Sequence, residues 1–338
     1  MKAYVIEEAN KGVTKEVSVP VPNDDQVLIK VMVAGLCGTD AHIFKGSYYS
    51  NFPLIPGHEF CGTIEKVGKN VKNFTVGQRV TADPNIFCEK CSNCQENVQN
   101  FCKDFDAIGV TLDGAMAQYV LAPEGCVFDI GDMDFTTAAM IEPLSCVVYG
   151  QKRARPEVGD SVLIFGAGPI GLMHLQLAKH NGATFAAIVD VRQDRLDIAK
   201  KLGADLTLTS DKTAQLKEQF PEGFNMVIDS TGVPKVVESA LTYVKHAGTF
   251  LIFGVCPQGT KIQVDPFDIY KRDLKIVGSF ALKKTFQPAI NLLRSKAIDV
   301  SDIIGEKITL EELPAQMDKF LAGKTEMKTV VYPNGLLK

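Results

Sequence analysis

The chain has 338 residues, 46 % hydrophobic and 22 % charged, with a formal net charge of −4; that length favours two domains, and that composition supports packed cores and excludes an intrinsically disordered chain. An acidic balance without basic or aromatic runs gives no reason to expect nucleic acid as a partner. The start runs into the acidic pair Glu7 and Glu8 without a basic leader, and no apolar run reaches the length of a membrane span, so a cytoplasmic protein with no membrane partner is expected.

In chain order, residues 27–33 form an apolar run of strand type, and residues 62–68 and 78–82 alternate or end in glycine as sheet strands do. Helical periodicity is scarce until about Thr136. The pattern changes near Gly150. A buried strand over 161–165 leads into a glycine-rich turn and an apolar helix. A second strand follows over 185–190, a helix over 195–202, and strands over 226–230 and 249–253. This alternation predicts a parallel, doubly wound sheet. The tail offers a helix over 285–295 and a late strand over 329–332, which would rejoin the first domain and leave the second inserted. The expected domains are therefore residues 1–146, with a cysteine lobe at about 84–104, then 147–280, then a return over 281–338.

Gly166-Ala-Gly168-Pro169-Ile170-Gly171 follows the strand and opens the helix. In that context it reads as a dinucleotide loop: Gly166 for the tight turn, Gly168 for backbone approach to a pyrophosphate, Gly171 for close helix packing. The helix N-terminus then offers its N–H groups to the phosphates. Asp190 ends the next strand, where a carboxylate accepts from the adenosine ribose hydroxyls and repels the 2′-phosphate of NADP. Arg192 and Arg195 could bind that phosphate or be solvated helix-start residues; the balance favours NAD over NADP. His174 and His180 read as packing or surface residues.

Nine cysteines, an odd number in a chain without an export signal, argue against a disulfide framework. Cys88-x-x-Cys91-x-x-Cys94 with Cys102 supplies four thiolates for a closed, tetrahedral structural zinc. An iron–sulfur cluster is the rival, but its spacing is shorter before the last cysteine and proline follows it; here Lys103 follows. Cys61, Cys126, Cys146 and Cys256 read as ordinary core thiols. A second metal centre is expected from Cys37-Gly-Thr39-Asp-Ala-His42, from Gly57-His58-Glu59 and from Glu142-Pro143. Cysteine, histidine and carboxylate suit a catalytic zinc that keeps one position open.

In this order, these motifs resemble the zinc-containing medium-chain dehydrogenases, in the branch with sorbitol, arabinitol and threonine dehydrogenases. The resemblance covers nearly the whole chain. It implies an α/β architecture, a Rossmann domain inserted in a mostly-β, GroES-like catalytic domain. It also implies one catalytic and one structural zinc per chain and a homo-oligomer, dimer or tetramer. Cys37 and His58 would ligate the catalytic zinc; Glu59 and Glu142 are both candidate ligands and catalytic carboxylates. Thr39 and His42 would relay a proton to solvent through the cofactor ribose. Arg195, Val255 and Phe280 join the glycine loop and Asp190 as cofactor contacts. Zinc would acidify a substrate hydroxyl and the nicotinamide would accept hydride.

Glu142, standing where classical alcohol dehydrogenases have a thiolate, makes the site more polar and suits a substrate with several hydroxyls. Sorbitol dehydrogenases carry a tyrosine at the place of Ile43 and an arginine near that of Ala281, so sorbitol itself is not indicated. Lys283 and Lys284 are either surface lysines or a grip on a phosphate or carboxylate. The expected partner is a small polyol, pentitol or hexitol, or a polyol phosphate, oxidised to the ketose; threonine is the alternative substrate. A non-catalytic zinc-bearing binding protein is the rival class.

Overall fold

The computed structural model describes residues 1–336. The chain divides into two compact units. The first holds Met1–Pro143, Phe286–Arg294 and the residues from Ile304 onward; the second holds Leu144–Thr285 and Ser295–Ile303. The break after Pro143 precedes the expected one, and the tail is shared between the units rather than returned whole. The last two residues of the expected return segment lie outside the described residues.

The first unit is built on a mixed seven-stranded sheet. Its centre is Gln26–Gly35, a run of Val, Leu and Ile that is buried at most positions, the pattern of a strand covered on both faces. It pairs antiparallel with Glu59–Val67 along its length. Its other edge meets Tyr119–Pro123 through residues 26–30 and the late strand Lys328–Tyr332 through Ala34 and Gly35. Val27, Ile29, Val31, Phe60, Ile64 and Val80 fill the core. All five residues of Lys328–Tyr332 are buried, its lysine included.

A helix absent from the sequence expectations spans Gly38–Phe44. At seven residues it is shorter than two turns and shows no periodicity to detect. Its start is fixed by Asp40, whose Oδ2 accepts from the Cys37 N–H at 2.8 Å, satisfying one of the donors that a helix leaves unpaired.

The second unit contains a six-stranded, wholly parallel sheet. Its spatial order is Leu206–Thr209, Phe185–Asp190, Ser161–Phe165, Phe224–Asp229, Val244–Ile252, Lys275–Gly278. Numbered along the chain that is 3-2-1-4-5-6, the Rossmann order, with the strand reversal beside the first strand. Leu163, Phe165, Val189, Phe224, Val227 and Phe250 pack its core. The fifth strand starts at Val244 rather than 249. Its first half is the exposed Lys245-His246-Ala247, with Ala247 at φ 59°, so polarity hides it until the apolar residues begin. Among the described residues no helix is long and apolar enough to cross a membrane.

Candidate metal centres and dinucleotide site

The register of the first sheet assembles one centre. Gly35 lies opposite Glu59, Cys37 follows Gly35 by two residues, and His58 precedes Glu59. One ligand atom from each of Cys37, His58 and Glu59 lies within 4.8 Å of the other two. His58 and Glu59 are buried and Cys37 is half-buried. A sulfur, a nitrogen and an oxygen donor converging in a mostly dry place form a three-ligand set of the type that catalytic zinc uses. The donors present therefore fit such a metal.

Asp40 serves this centre from the short helix. With one oxygen on the Cys37 N–H, its other oxygen stands 3.5 Å from His58 Nδ1. A carboxylate facing one ring nitrogen orients the ring and leaves the other nitrogen for a metal. Burial opposes a charge on His58, but the neighbouring Asp40 and Cys37 outweigh it and hold its pKa well above the ordinary value.

The sequence reading missed a further residue of this centre, Lys328. Its side chain is 8 % exposed, and its ammonium forms an ion pair with Oε2 of Glu59, whose side chain is 1 % exposed. Burial works against this charge, yet Glu59, Cys37 and Glu142 together raise the lysine pKa. Removing one member of a buried ion pair leaves the other uncompensated, at a cost of about 3–5 kcal/mol. Gly35 makes the pair possible: a Cβ there would sit 2.0 Å from Glu59 Oε2 and 3.0 Å from Lys328 Cε. Glu142, in the first turn of Ile141–Ala154, lies outside the three-residue group, although its charge reaches Lys328.

Thr39 and His42 both lie on the short helix and are half-buried. His42 Nδ1 stands 3.4 Å from Ser47 Oγ. Ile43 points the other way and is fully buried in the core.

The four lobe cysteines form the second centre, their sulfurs all within 4.8 Å of one another. Cys88 and Cys94 are 4.0 Å apart at sulfur, as are Cys91 and Cys102. Four sulfurs around zinc at about 2.3 Å would be separated by about 3.8 Å, so the thiols fit the ion and are too distant for disulfides. Backbone N–H groups of Cys91 and Lys103 donate to Cys88 and Cys91 Sγ. The Lys103 and Cys94 backbone bonds are the main cause that lowers the Cys91 pKa to about 6, whereas burial first pushes Cys94 up to about 12. A Cys91→Ser protein should lose one metal equivalent by elemental analysis and melt roughly 5 °C or more below the parent; an unchanged metal content and melting curve would contradict a structural site.

In the second unit Gly166 has φ 99°, and Gly168 caps the helix Pro169–His180, which carries proline in its first turn. Ile170 follows in that turn. Asp190 is clamped at the end of its strand, Oδ2 accepting from the Ala167 N–H at 2.6 Å and Oδ1 from the Arg192 N–H at 2.9 Å. This joins the carboxylate to the glycine loop. Arg192 is engaged with Asp194 through Nε at 3.1 Å and Nη2 at 2.5 Å. Arg195 reaches over the loop, its Nη1 3.8 Å from where a Gly168 Cβ would lie. Val255 and Phe280 are exposed just beyond the carboxyl ends of their strands, the edge at which doubly wound sheets bind ligands. Ser230, unassigned from sequence, donates to the carbonyls of Phe165 and Gly166 at 2.7 and 3.1 Å and braces the turn. His174 is buried, edge-on to Phe253, and burial drops its pKa to about 3; it packs as a neutral ring.

A Rossmann sheet joined in one chain to a mixed-sheet unit with two candidate metal centres defines a dinucleotide-linked oxidoreductase. Comparison with known proteins agrees. Residues 23–132 match the alcohol dehydrogenase GroES-like domain, and residues 169–295 match the zinc-binding dehydrogenase domain. The chain is 39 % identical to D-arabinitol dehydrogenase 1 of Uromyces fabae, over 94 % of this chain and 92 % of that one. It is 36 % identical to D-arabitol-phosphate dehydrogenase of Enterococcus avium, over 94 % and 93 %. A protein of Sinorhizobium meliloti 1021 solved with NADP bound superposes with a TM-score of 0.94 at 34 % identity, over 98 % and 99 %. The chain belongs to the zinc-containing medium-chain dehydrogenase family.

Proposed function

We propose that the protein oxidises a secondary alcohol of a small polyol, a pentitol or hexitol or its phosphate, to the ketose with NAD. The observation that carries this is the convergence of Cys37, His58 and Glu59 in one mostly buried place in a chain that also carries a dinucleotide loop. A zinc ion held there supplies Lewis acidity to a substrate hydroxyl, and the nicotinamide supplies the hydride acceptor. The chain's own groups do the rest. Asp40 orients His58, and the carboxylates Glu59 and Glu142 give the site the polarity that several hydroxyls need. Thr39 and His42, half-buried on the helix that Cys37 begins, would pass the substrate proton outward. The structural zinc would hold the lobe of Cys88, Cys91, Cys94 and Cys102.

NAD is favoured over NADP by Asp190, whose carboxylate is tied to the glycine loop through the Ala167 N–H and would meet the adenosine ribose, and by Arg192, whose guanidinium is engaged by Asp194. The kinship with arabinitol and arabitol-phosphate dehydrogenases supports the polyol reading. A homo-oligomer is supported by the edge strand Lys275–Gly278, which exposes Ile276, and by exposed Phe267 and Tyr270 on the preceding helix. Such an edge is a template for pairing with a second copy.

The test is an assay of purified, zinc-replete protein with NAD and NADP against pentitols, hexitols, their phosphates and threonine, following reduced cofactor by absorbance. Turnover is expected on a polyol or polyol phosphate with NAD, by a species of more than one chain in light scattering. Zinc-loaded protein inactive on the whole panel would overturn the reading.

A further inference from the structure

His58 is reached through Ile55-Pro56-Gly57, three buried residues that belong to no helix or strand. Four of their backbone polar groups go to one neighbouring segment, residues 113–116. The N–H of Ile55 donates to Asp113 Oδ1 at 2.9 Å. The carbonyls of Ile55, Pro56 and Gly57 accept from the N–H groups of Gly114, Met116 and Ala115 at 2.7, 2.9 and 2.9 Å. The two segments touch backbone to backbone. A Cβ on Gly114 would lie 2.3 Å from the Gly57 carbonyl oxygen, 2.4 Å from Gly109 Cα and 2.8 Å from the Pro56 oxygen. Gly109, with φ 78°, closes on the same carbonyl, and a Cβ there would also lie 2.3 Å from its oxygen. Gly114 has no positive φ, so proximity and not conformation requires glycine there. The segment is itself held fast: Gly114, Ala115 and Met116 are buried, and the Tyr4 N–H donates to the Met116 carbonyl at 2.8 Å.

We propose that Asp113 and Gly114 are positioning residues: the segment they begin clamps the Gly57 carbonyl and thereby aims the His58 imidazole at the metal shared with Cys37 and Glu59. The proposal rests on the reading of Cys37, His58 and Glu59 as the catalytic metal centre. The clamp acts through the backbone before His58, whereas Asp40 faces the ring itself. The ring hangs on two rotatable bonds in fixed rotamers, so it follows its backbone. A methyl on Gly114 would need the Gly57 oxygen to retreat by at least 0.7 Å (3.0 − 2.3). Metal and catalytic constellations tolerate only about 0.5 Å, so the displacement is large enough to matter at the metal.

The experiment uses the whole protein, in zinc form for kinetics and in cobalt form for its visible spectrum. The cobalt bands of this centre are those lost in Cys37→Ser. In Gly114→Ala these bands should shift, and kcat per bound metal should fall about tenfold to a hundredfold, the order expected of a displacement approaching 1 Å. NADH affinity, read by fluorescence titration, should stay within about twofold of the parent, as for an independent site, and the lobe should keep its metal equivalent. Gly125→Ala, where a Cβ meets nothing within 4 Å, should match the parent in every readout. Asp113→Ala strips the Ile55 N–H of its acceptor; it should shift the same bands and lower kcat about threefold or more. Asp113→Asn keeps an acceptor oxygen and should restore parent values. Parent bands and parent kcat in a folded Gly114→Ala protein would overturn the proposal. So would parent bands in Asp113→Ala, an exposed position whose test does not depend on the glycine variant folding. If Cys37→Ser loses no bands, the metal-centre reading itself is what fails.

Discussion

Replacing Cys37 by serine should reduce kcat/KM for the polyol by about a thousandfold or more, the order expected when a Lewis acid worth several kcal/mol is lost. A serine hydroxyl is a far weaker zinc donor than a thiolate, and Cys37 is one of three donors in the group. The side chain also begins the helix that carries Asp40, but the serine keeps the backbone N–H that bonds Asp40. The fold should therefore persist, with one metal equivalent lost and the lobe equivalent kept. Reduced cofactor should still bind, read as a fluorescence change. Parent-level turnover in this variant would remove Cys37 from the catalytic centre. The contrast with Cys91→Ser is the useful feature: one variant loses chemistry with little loss of stability, the other the reverse.

Gly171→Ala should weaken dinucleotide binding and destabilise the second unit. A Cβ on Gly171 would lie 1.8 Å from the Gly166 carbonyl oxygen and 2.9 Å from Ser230 Oγ. The first is backbone in a turn whose own φ is 99°, so it cannot swing aside as a side-chain tip would. Overpacking of this kind costs about 1–3 kcal/mol, which corresponds to roughly 5- to 150-fold if it falls entirely on cofactor affinity. A fluorescence titration with NADH should show that loss, while both metal equivalents remain. Parent affinity in a folded Gly171→Ala protein would show that the loop does not meet the cofactor.

The parts of this architecture that were legible in the sequence are those encoded locally. The strands 161–165 and 185–190 carry their burial in consecutive apolar residues, and the glycine loop and four-cysteine lobe carry their chemistry in short spacings. Cys37, His58 and Glu59 were legible as candidates because each stands in a compact motif. That Glu59 rather than Glu142 joins the other two donors was not, because it depends on which residue faces Gly35 across the sheet. Asp40 was read as part of a motif, without a role, since its two partners come from its own helix start and from the residue just before a separate strand. Lys328 was invisible for a physical reason: a lysine next to Met327 and Thr329 looks like a solvated strand end, and lysines are almost never buried unless paired. Only pairing with residues nearly three hundred positions away gives it a partner.

That pairing has a consequence for how the protein is made. Val330 meets Gly35 at a sequence separation of 295 residues (330 − 35), and the whole of Leu144–Thr285 lies between them in a unit with its own core. Domains form as units during synthesis, amino-terminal material first, but here the first unit is the later to close. Its central sheet must wait with an open edge beside Gly35 until the second unit has been threaded out of the ribosome. During that interval Cys37, His58 and Glu59 are present without Lys328, so the nascent centre carries its negative groups without the buried cation and differs electrostatically from the finished one.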